Sequence, residues 1–141
     1  MEFILGKDIV EDLLPQKAPF AMADKLYASD KNSTVVGFTV PADNIFVEDG
    51  QFTEPGIIEH MAQSVALNKA YQAYLENQTP PKGYIGSIKD LKIIKLPSVG
   101  DKLITTIGIV QEFMGITLVN IEATANGTTI ATCQMKTVLA K

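Results

Sequence analysis

Between positions 119 and 126 apolar and polar residues alternate one by one. Val119, Ile121, Ala123 and Ala125 fall on one side, and Asn120, Glu122, Thr124 and Asn126 on the other. A period of two is that of a half-buried strand. Asn126-Gly127 follows at once, and both residue types accept the positive φ of a two-residue hairpin turn. Similar patterning predicts strands over about 84–95, 102–113, 116–125 and 129–139, with a turn at Pro97-Ser98-Val99-Gly100-Asp101. Earlier in the chain, runs over about 21–29 and 33–41 read as two more strands, joined by a turn at Lys31-Asn32-Ser33. Residues 42–54 read as an irregular loop with a turn signal at Asp49-Gly50.

Two segments follow a helical period instead. Ile9, Val10, Leu13 and Leu14 mark a short amphipathic helix that Pro15 ends. A longer one runs from about Pro55 to Glu76, with proline near its start, where a missing N–H costs nothing. Ile57, Ile58, Met61, Ala62, Val65, Ala66, Ala70, Tyr71, Tyr74 and Leu75 cover nearly its whole circumference. A helix apolar almost all round is expected to be buried almost all round. The order is two strands, one buried helix and four sequential, tightly joined strands, so the sheet is expected to be mostly antiparallel. A curved antiparallel sheet wrapped around one central helix satisfies that order. This is an α+β hotdog fold, read as a single domain over 1–141. A ferredoxin-like fold would need a second long helix between the later strands, and none is visible.

Composition narrows the function. A chain of 141 residues with 46% hydrophobic positions suits one sizeable core. Its net charge of −4 argues against a nucleic-acid or anionic-membrane binder. All 12 basic residues are lysine, so no bidentate guanidinium clamp exists within the chain. Cys133 is the only cysteine. It cannot form an intrachain disulfide, one thiol does not make a zinc site, and its alternating setting places it on an apolar strand face. The N-terminal residues carry no basic segment followed by an apolar core, and no apolar run is long enough to span a bilayer. The expectation is a soluble cytoplasmic protein.

Candidate chemistry gathers at the start of the long helix, Pro55-Gly56-Ile57-Ile58-Glu59-His60-Met61-Ala62-Gln63. Desolvation opposes the charge of Glu59 there, while the helix N-terminus favours it. Such a conflict marks an active-site candidate, although a carboxylate at a helix start can also serve the dipole alone. Gln63 lies four residues on, on the same face, and can orient Glu59 or simply bond to backbone. His60 turns about 100° away from Glu59, so the two do not act as a simple pair. It is either catalytic from another direction or a satisfied core histidine. Amides near Gly56 and Ile57, at the open helix end, are candidates to hold an oxyanion.

Three segments together resemble the β-hydroxyacyl-acyl-carrier-protein dehydratases. Residues Leu14 to Asp24 (LPQKAPFAMAD) are similar to the family's LPHxxPFxxxDR segment, and Glu59-His60-Met61-Ala62-Gln63 to its ExMAQ helix. Tyr84 to Leu103 carries Gly86, Pro97, Gly100 and Asp101 at the spacing of YxxGI…RPVxPGDxL. The short loop before the helix is similar to the subgroup of aryl-polyene and flexirubin-type pigment pathways. Two departures stand out. Gln51, in Gly50-Gln51-Phe52, occupies the place of the family's catalytic loop histidine, and Gln16 that of the histidine in the first motif. The family pairs its histidine and acid across a dimer interface.

The resemblance implies loss of water from a carrier-bound 3-hydroxyacyl thioester to give the trans-2-enoyl product. Glu59 would be the acid, with His60 a second catalytic candidate. Gln51, Gly56, Ile57 and Gln63 would contact the substrate; Gln51 cannot take a proton at neutral pH but can donate a hydrogen bond. No metal or redox cofactor is implied, the substrate being carried on the phosphopantetheine of an acyl carrier protein. The implied assembly is a homodimer, or a heterodimer with a related hotdog subunit. Lys82, Lys89, Lys92, Lys95 and Lys102 stand against only Asp90 and Asp101 in that stretch, and such a patch can steer an acidic carrier or simply be solvated. Two rival readings remain: a hotdog thioesterase, whose carboxylate activates water or attacks the carbonyl, and a non-catalytic carrier-binding subunit of a dehydratase complex.

Overall fold

The computed structural model describes residues 2–140. Helix α1 (Lys7–Leu13) precedes strands β1 (Lys25–Ser29) and β2 (Ser33–Thr39). A small hairpin, β3 (Val47–Glu48) and β4 (Gln51–Phe52), leads into the long helix α2 (Glu54–Leu75). Strands β5 (Gly83–Ile93), β6 (Lys102–Phe113), β7 (Ile116–Ala125) and β8 (Thr128–Leu139) complete the chain. Six strands form one antiparallel sheet in the order β1-β2-β6-β7-β8-β5. The sheet packs around α2, the hotdog architecture expected from the element order.

Turn chemistry sets the register. Asp49-Gly50, Met114-Gly115 and Asn126-Gly127 each place two successive residues at positive φ, the geometry that matches the twist of paired strands. Asp30 closes the β1–β2 turn by accepting from the amides of Asn32 and Ser33 at 2.7 and 2.9 Å. The segment read as an irregular loop therefore holds a two-stranded hairpin across Asp49-Gly50. Its strands are two residues each, too short for a period to be read.

The first strand also begins later than its patterning predicts. Residues 21–24 lie outside the strand. The Met22 amide donates to Gln63 Oε1 at 2.6 Å, and the Met22 carbonyl accepts from His60 Nδ1 at 2.6 Å. Helix side chains thus satisfy the Met22 backbone, while the Asp24 amide donates to the Gly37 carbonyl of β2 at 2.9 Å.

The main core joins Phe38, Phe52, Ile57, Met61, Leu103, Ile107, Val119, Ile121 and Met135 between sheet and helix. A second cluster, including Val10, Leu14, Leu26, Val36 and Leu67, seats α1 against α2 and β1–β2. Cys133 faces the core as expected, its Sγ 3.8 Å from Met61 Sδ, and burial pushes its thiol up to about 11. From Gly56 to Ala73 the helix is buried or half-buried, but Tyr74 and Leu75 are exposed, against the expectation of burial throughout. They lie in the last turn, where the helix runs out beyond the sheet's cover.

Candidate active site

Helix α2 is fastened at its entry. Thr53 occupies the N-cap position without capping through its side chain. Its hydroxyl and its amide both donate to the Phe46 carbonyl, at 2.6 and 3.0 Å, which locks the β3–β4 hairpin to the helix start. Gly56 packs directly beneath Phe52. A Cβ there would run into the Phe52 ring and stand 2.9 Å from Phe46 Cβ. Close approach, not turn geometry, calls for glycine at this position.

This entry corrects the expectation for Gly56 and Ile57. Both amides donate to the Thr53 carbonyl, at 3.0 and 3.2 Å. The helix begins at Glu54, so these two amides are the third and fourth of the helix and are already paired with the carbonyl of the N-cap residue. Neither is free to hold an oxyanion in this arrangement.

Glu59 projects from the same turn and is half-buried. Gln63 Nε2 donates to Glu59 Oε1 at 3.3 Å and to the Phe20 carbonyl at 2.8 Å. With Gln63 Oε1 taken by the Met22 amide, the amide group of Gln63 is engaged at both ends. It ties the carboxylate, the helix and the 20–22 segment together. Both readings of Gln63, carboxylate partner and backbone-bonded buried amide, describe it.

His60 points the other way, into the core, with no exposed surface. A carbonyl can only accept, so Nδ1 donates to the Met22 carbonyl and carries the proton. Nε2 then accepts from the Thr105 hydroxyl at 2.7 Å. The ring stacks on Phe38 with centroids 5.6 Å apart. Burial lowers its pKa to about 4, against the opposing pull of the Met22 carbonyl and Asp24. His60 is thus a neutral histidine with both nitrogens occupied, and it lines neither cavity that Glu59 lines. The candidate catalytic histidine has a structural position instead, because the helix turns it away from Glu59.

Glu59 borders two cavities. One, of about 350 Å³, lies between α2 and strands β5 to β8. Along the helix its wall runs from Glu59 through Ala62, Ala66 and Lys69 to Ala70, about 16 Å of axis. The alanines leave the space that larger side chains would fill. Lys69 pairs with Glu112 on β6 near the far end. The other cavity, of about 370 Å³, is mostly apolar and is lined by Phe20, Ile45, Phe46, Pro55 and Ile58 beside Glu59. Among the described residues Glu59 is the sole carboxylate lining either one. Gln51 is exposed on the β3–β4 hairpin, bridged to Ser98, and lines neither cavity. Among the described residues no three His, Cys, Asp or Glu side chains converge as metal ligands would.

A family model for the ApeP dehydratase, ApeP-like, matches residues 9–140. The chain belongs to the ApeP-like dehydratase family. It is 30% identical over 139 residues to the 3-hydroxyacyl-acyl-carrier-protein dehydratase FabZ of Vibrio cholerae serotype O1, covering 90% of this chain and 86% of that one. The FabZ of Vibrio atlanticus is 27% identical over 137 residues, covering 90% and 88%. In fold the chain is similar to the dehydratase heterocomplex ApeI:P from Xenorhabdus doucetiae, with a TM-score of 0.85 at 18% identity over 94% of this chain and 91% of that one.

Two features of this ApeP-like site escape a reading of the helix alone. Thr105 is a polar residue on the inward face of β6, between Leu103 and Ile107, and that misplaced polarity is the signal that could have found it. Ala62, Ala66 and Ala70 recur every four residues, a spacing that marks one small-residue face.

Proposed function

We infer that this ApeP-like chain eliminates water from a carrier-bound 3-hydroxyacyl thioester, giving the 2-enoyl thioester. The observation that carries this reading is Glu59, oriented by Gln63, as the one carboxylate among the described residues on the wall of an elongated and largely apolar cavity. An acyl chain fits such a wall, and its reacting carbons would lie at the Glu59 end. Elimination moves one proton from the α-carbon while a hydroxyl leaves from the β-carbon with a proton. One carboxylate can serve both needs, as base and then as acid. Gln51 stands where the family's motif has its histidine, which leaves room for a second titrating group supplied by a partner subunit.

Strand β5 supports that partner. It ends the sheet, and its residues from Gly83 to Lys92 are all exposed, with Tyr84, Ile85, Ile88 and Leu91 among them. An exposed eleven-residue edge strand of mixed apolar and charged side chains is a template for pairing with another strand. A related hotdog subunit, identical or not, is the partner of choice, and the likeness to the ApeI:P heterocomplex favours a non-identical one. Lys82, Lys89, Lys92 and Lys95 are exposed along and just beyond this strand, which suits an acidic acyl carrier, whereas the exposed Lys102 opens β6, three strands away in the sheet.

The test is incubation with a 3-hydroxyacyl carrier thioester, following the bound species by intact mass. Loss of one water supports the dehydratase. Release of the acyl group selects a thioesterase. A carrier that binds unchanged, and is dehydrated only on adding a related hotdog subunit, assigns the chain a partner-dependent role.

A further inference from the structure

The cavity that runs along α2 from Glu59 changes character towards its far end. Ile107, Ile109 and Val119 give its middle an apolar sheet wall. The next inward position of β7 beyond Val119 is Thr117, which stands opposite Thr137 of β8, and both threonines line the cavity. In the same row across the sheet Thr117 also stands opposite Glu112 of β6. Lys69 reaches from α2 to pair with that glutamate. Lys69 lines the cavity and Glu112 does not, so the ion pair bridges helix and sheet at the cavity's edge. Lys69 is ten residues, about 15 Å of helix axis, beyond Glu59. An acyl chain whose reacting carbons lie at Glu59 therefore runs along an apolar wall first and meets hydroxyls and an ion pair last.

How firmly that bridge holds follows from its exposure. Lys69 keeps 18% of its side-chain surface and Glu112 44%. Water screens a pair this open, and such pairs add little stability. The lysine stem is flexible and its ammonium strongly hydrated, so the charge can leave Glu112 for water while α2 and β6 stay in place. A plug of interlocked apolar side chains would yield only by repacking the core. We propose that the Lys69–Glu112 pair is a gate at the end of the acyl cavity. Chains that end between Glu59 and Lys69 leave it shut, and longer chains part it and run out past the helix into water. The gate sets the acyl length at which binding stops improving, without excluding longer substrates. This rests on the dehydratase reading, which lays an acyl chain along this wall, and adds the chain-length dependence of that same site.

The test is calorimetric binding of saturated acyl-pantetheine amides of stepwise increasing length to the full chain, alongside turnover of a short 3-hydroxyacyl thioester. Native protein, Lys69→Ala and Glu112→Gln are compared. In the native protein affinity is expected to rise about fourfold per methylene while the chain lies within the cavity. It then falls about two- to fivefold at the first length that parts the pair, and stays level beyond. Added salt shrinks that step. Both variants lose the step and bind the shorter ligands as before, which also shows that they are folded. Glu112→Gln is the sharper variant, because Glu112 does not line the cavity and its replacement changes no contact with the ligand. Affinity that rises through every length without a step overturns the proposal. So does a step that survives in both variants, or an equal weakening of all lengths in either. If water is lost from the thioester in those cases, the dehydratase reading stands and only the gate falls. A step that the variants abolish, with no water lost, keeps the gate and removes the dehydratase. If no ligand binds and no water is lost, both fall.

Discussion

Gln63 donates to Glu59 across one helical turn, at 3.3 Å, while its other end holds the Met22 amide at 2.6 Å. The carboxylate is therefore oriented, through Gln63, from a backbone segment 41 residues from that glutamine. Glu59→Gln keeps this shape and removes the titrating group. Its kcat for dehydration is expected to fall by about 10²–10⁴-fold with the melting temperature almost unchanged. Gln63→Leu acts differently. It frees the carboxylate and leaves the Met22 amide and Phe20 carbonyl unpaired, with an expected loss of about 1–3 kcal/mol of stability and a smaller fall in kcat. Steady-state kinetics with thermal denaturation on both variants separates the roles; a fully active Glu59→Gln would refute the assignment.

His60 makes folding stability depend on pH. The folded chain keeps the imidazole neutral down to about 4, whereas its ordinary value is 6.5. Between these values the unfolded chain binds the extra proton, so stability is full above pH 6.5 and declines as pH falls towards 4. The decline from this residue is on the order of 3 kcal/mol. Urea denaturation across that range checks it. In His60→Gln, which cannot titrate, this part of the slope is expected to vanish, although the loss of ring packing lowers stability at every pH.

Ala66 makes room in the cavity that Glu59 borders. Ala66→Phe is expected to block the far part of it. Activity on long acyl chains should then fall at least about tenfold more than on short ones, a difference of about 1.4 kcal/mol. Competition between two carrier-bound substrates of different length measures this ratio directly. An equal loss on both would mean the acyl chain lies elsewhere.

Gly56 has a packing role that its place in the sequence does not suggest. Gly56→Ala forces a methyl against Phe52 and Phe46, with an expected cost of about 1–3 kcal/mol. The hairpin and the helix entry would shift together, because Thr53 joins them through Phe46. Chemical denaturation gives the cost. A variant as stable as the native protein but weakened in substrate affinity would restore the substrate-contact role.

Much of the fold is legible along the chain. Strand alternation in β6 to β8, the Asn126-Gly127 turn and the proline-led start of α2 are local signals, carried by residues a few positions apart. The short β3–β4 hairpin is not legible, since two-residue strands have no period. At the site, the facing of Glu59 and Gln63 follows from their four-residue spacing. The fate of His60 does not, because the Met22 carbonyl and Thr105 hydroxyl that hold it are 38 and 45 residues away. Nor does an open helix end at Gly56 and Ile57 survive, since the helix starts after Thr53, earlier than the apolar pattern suggests.

Element order, the hotdog class and Glu59 as the carboxylate of interest thus follow from the residues in line, because periodicity, turn residues and helical spacing act over short range. Which polar groups of α2 are bound within the core, and which face a cavity, depends on tertiary packing. A buried polar side chain must find its hydrogen-bond partner in three dimensions, and those partners lie far off along the chain.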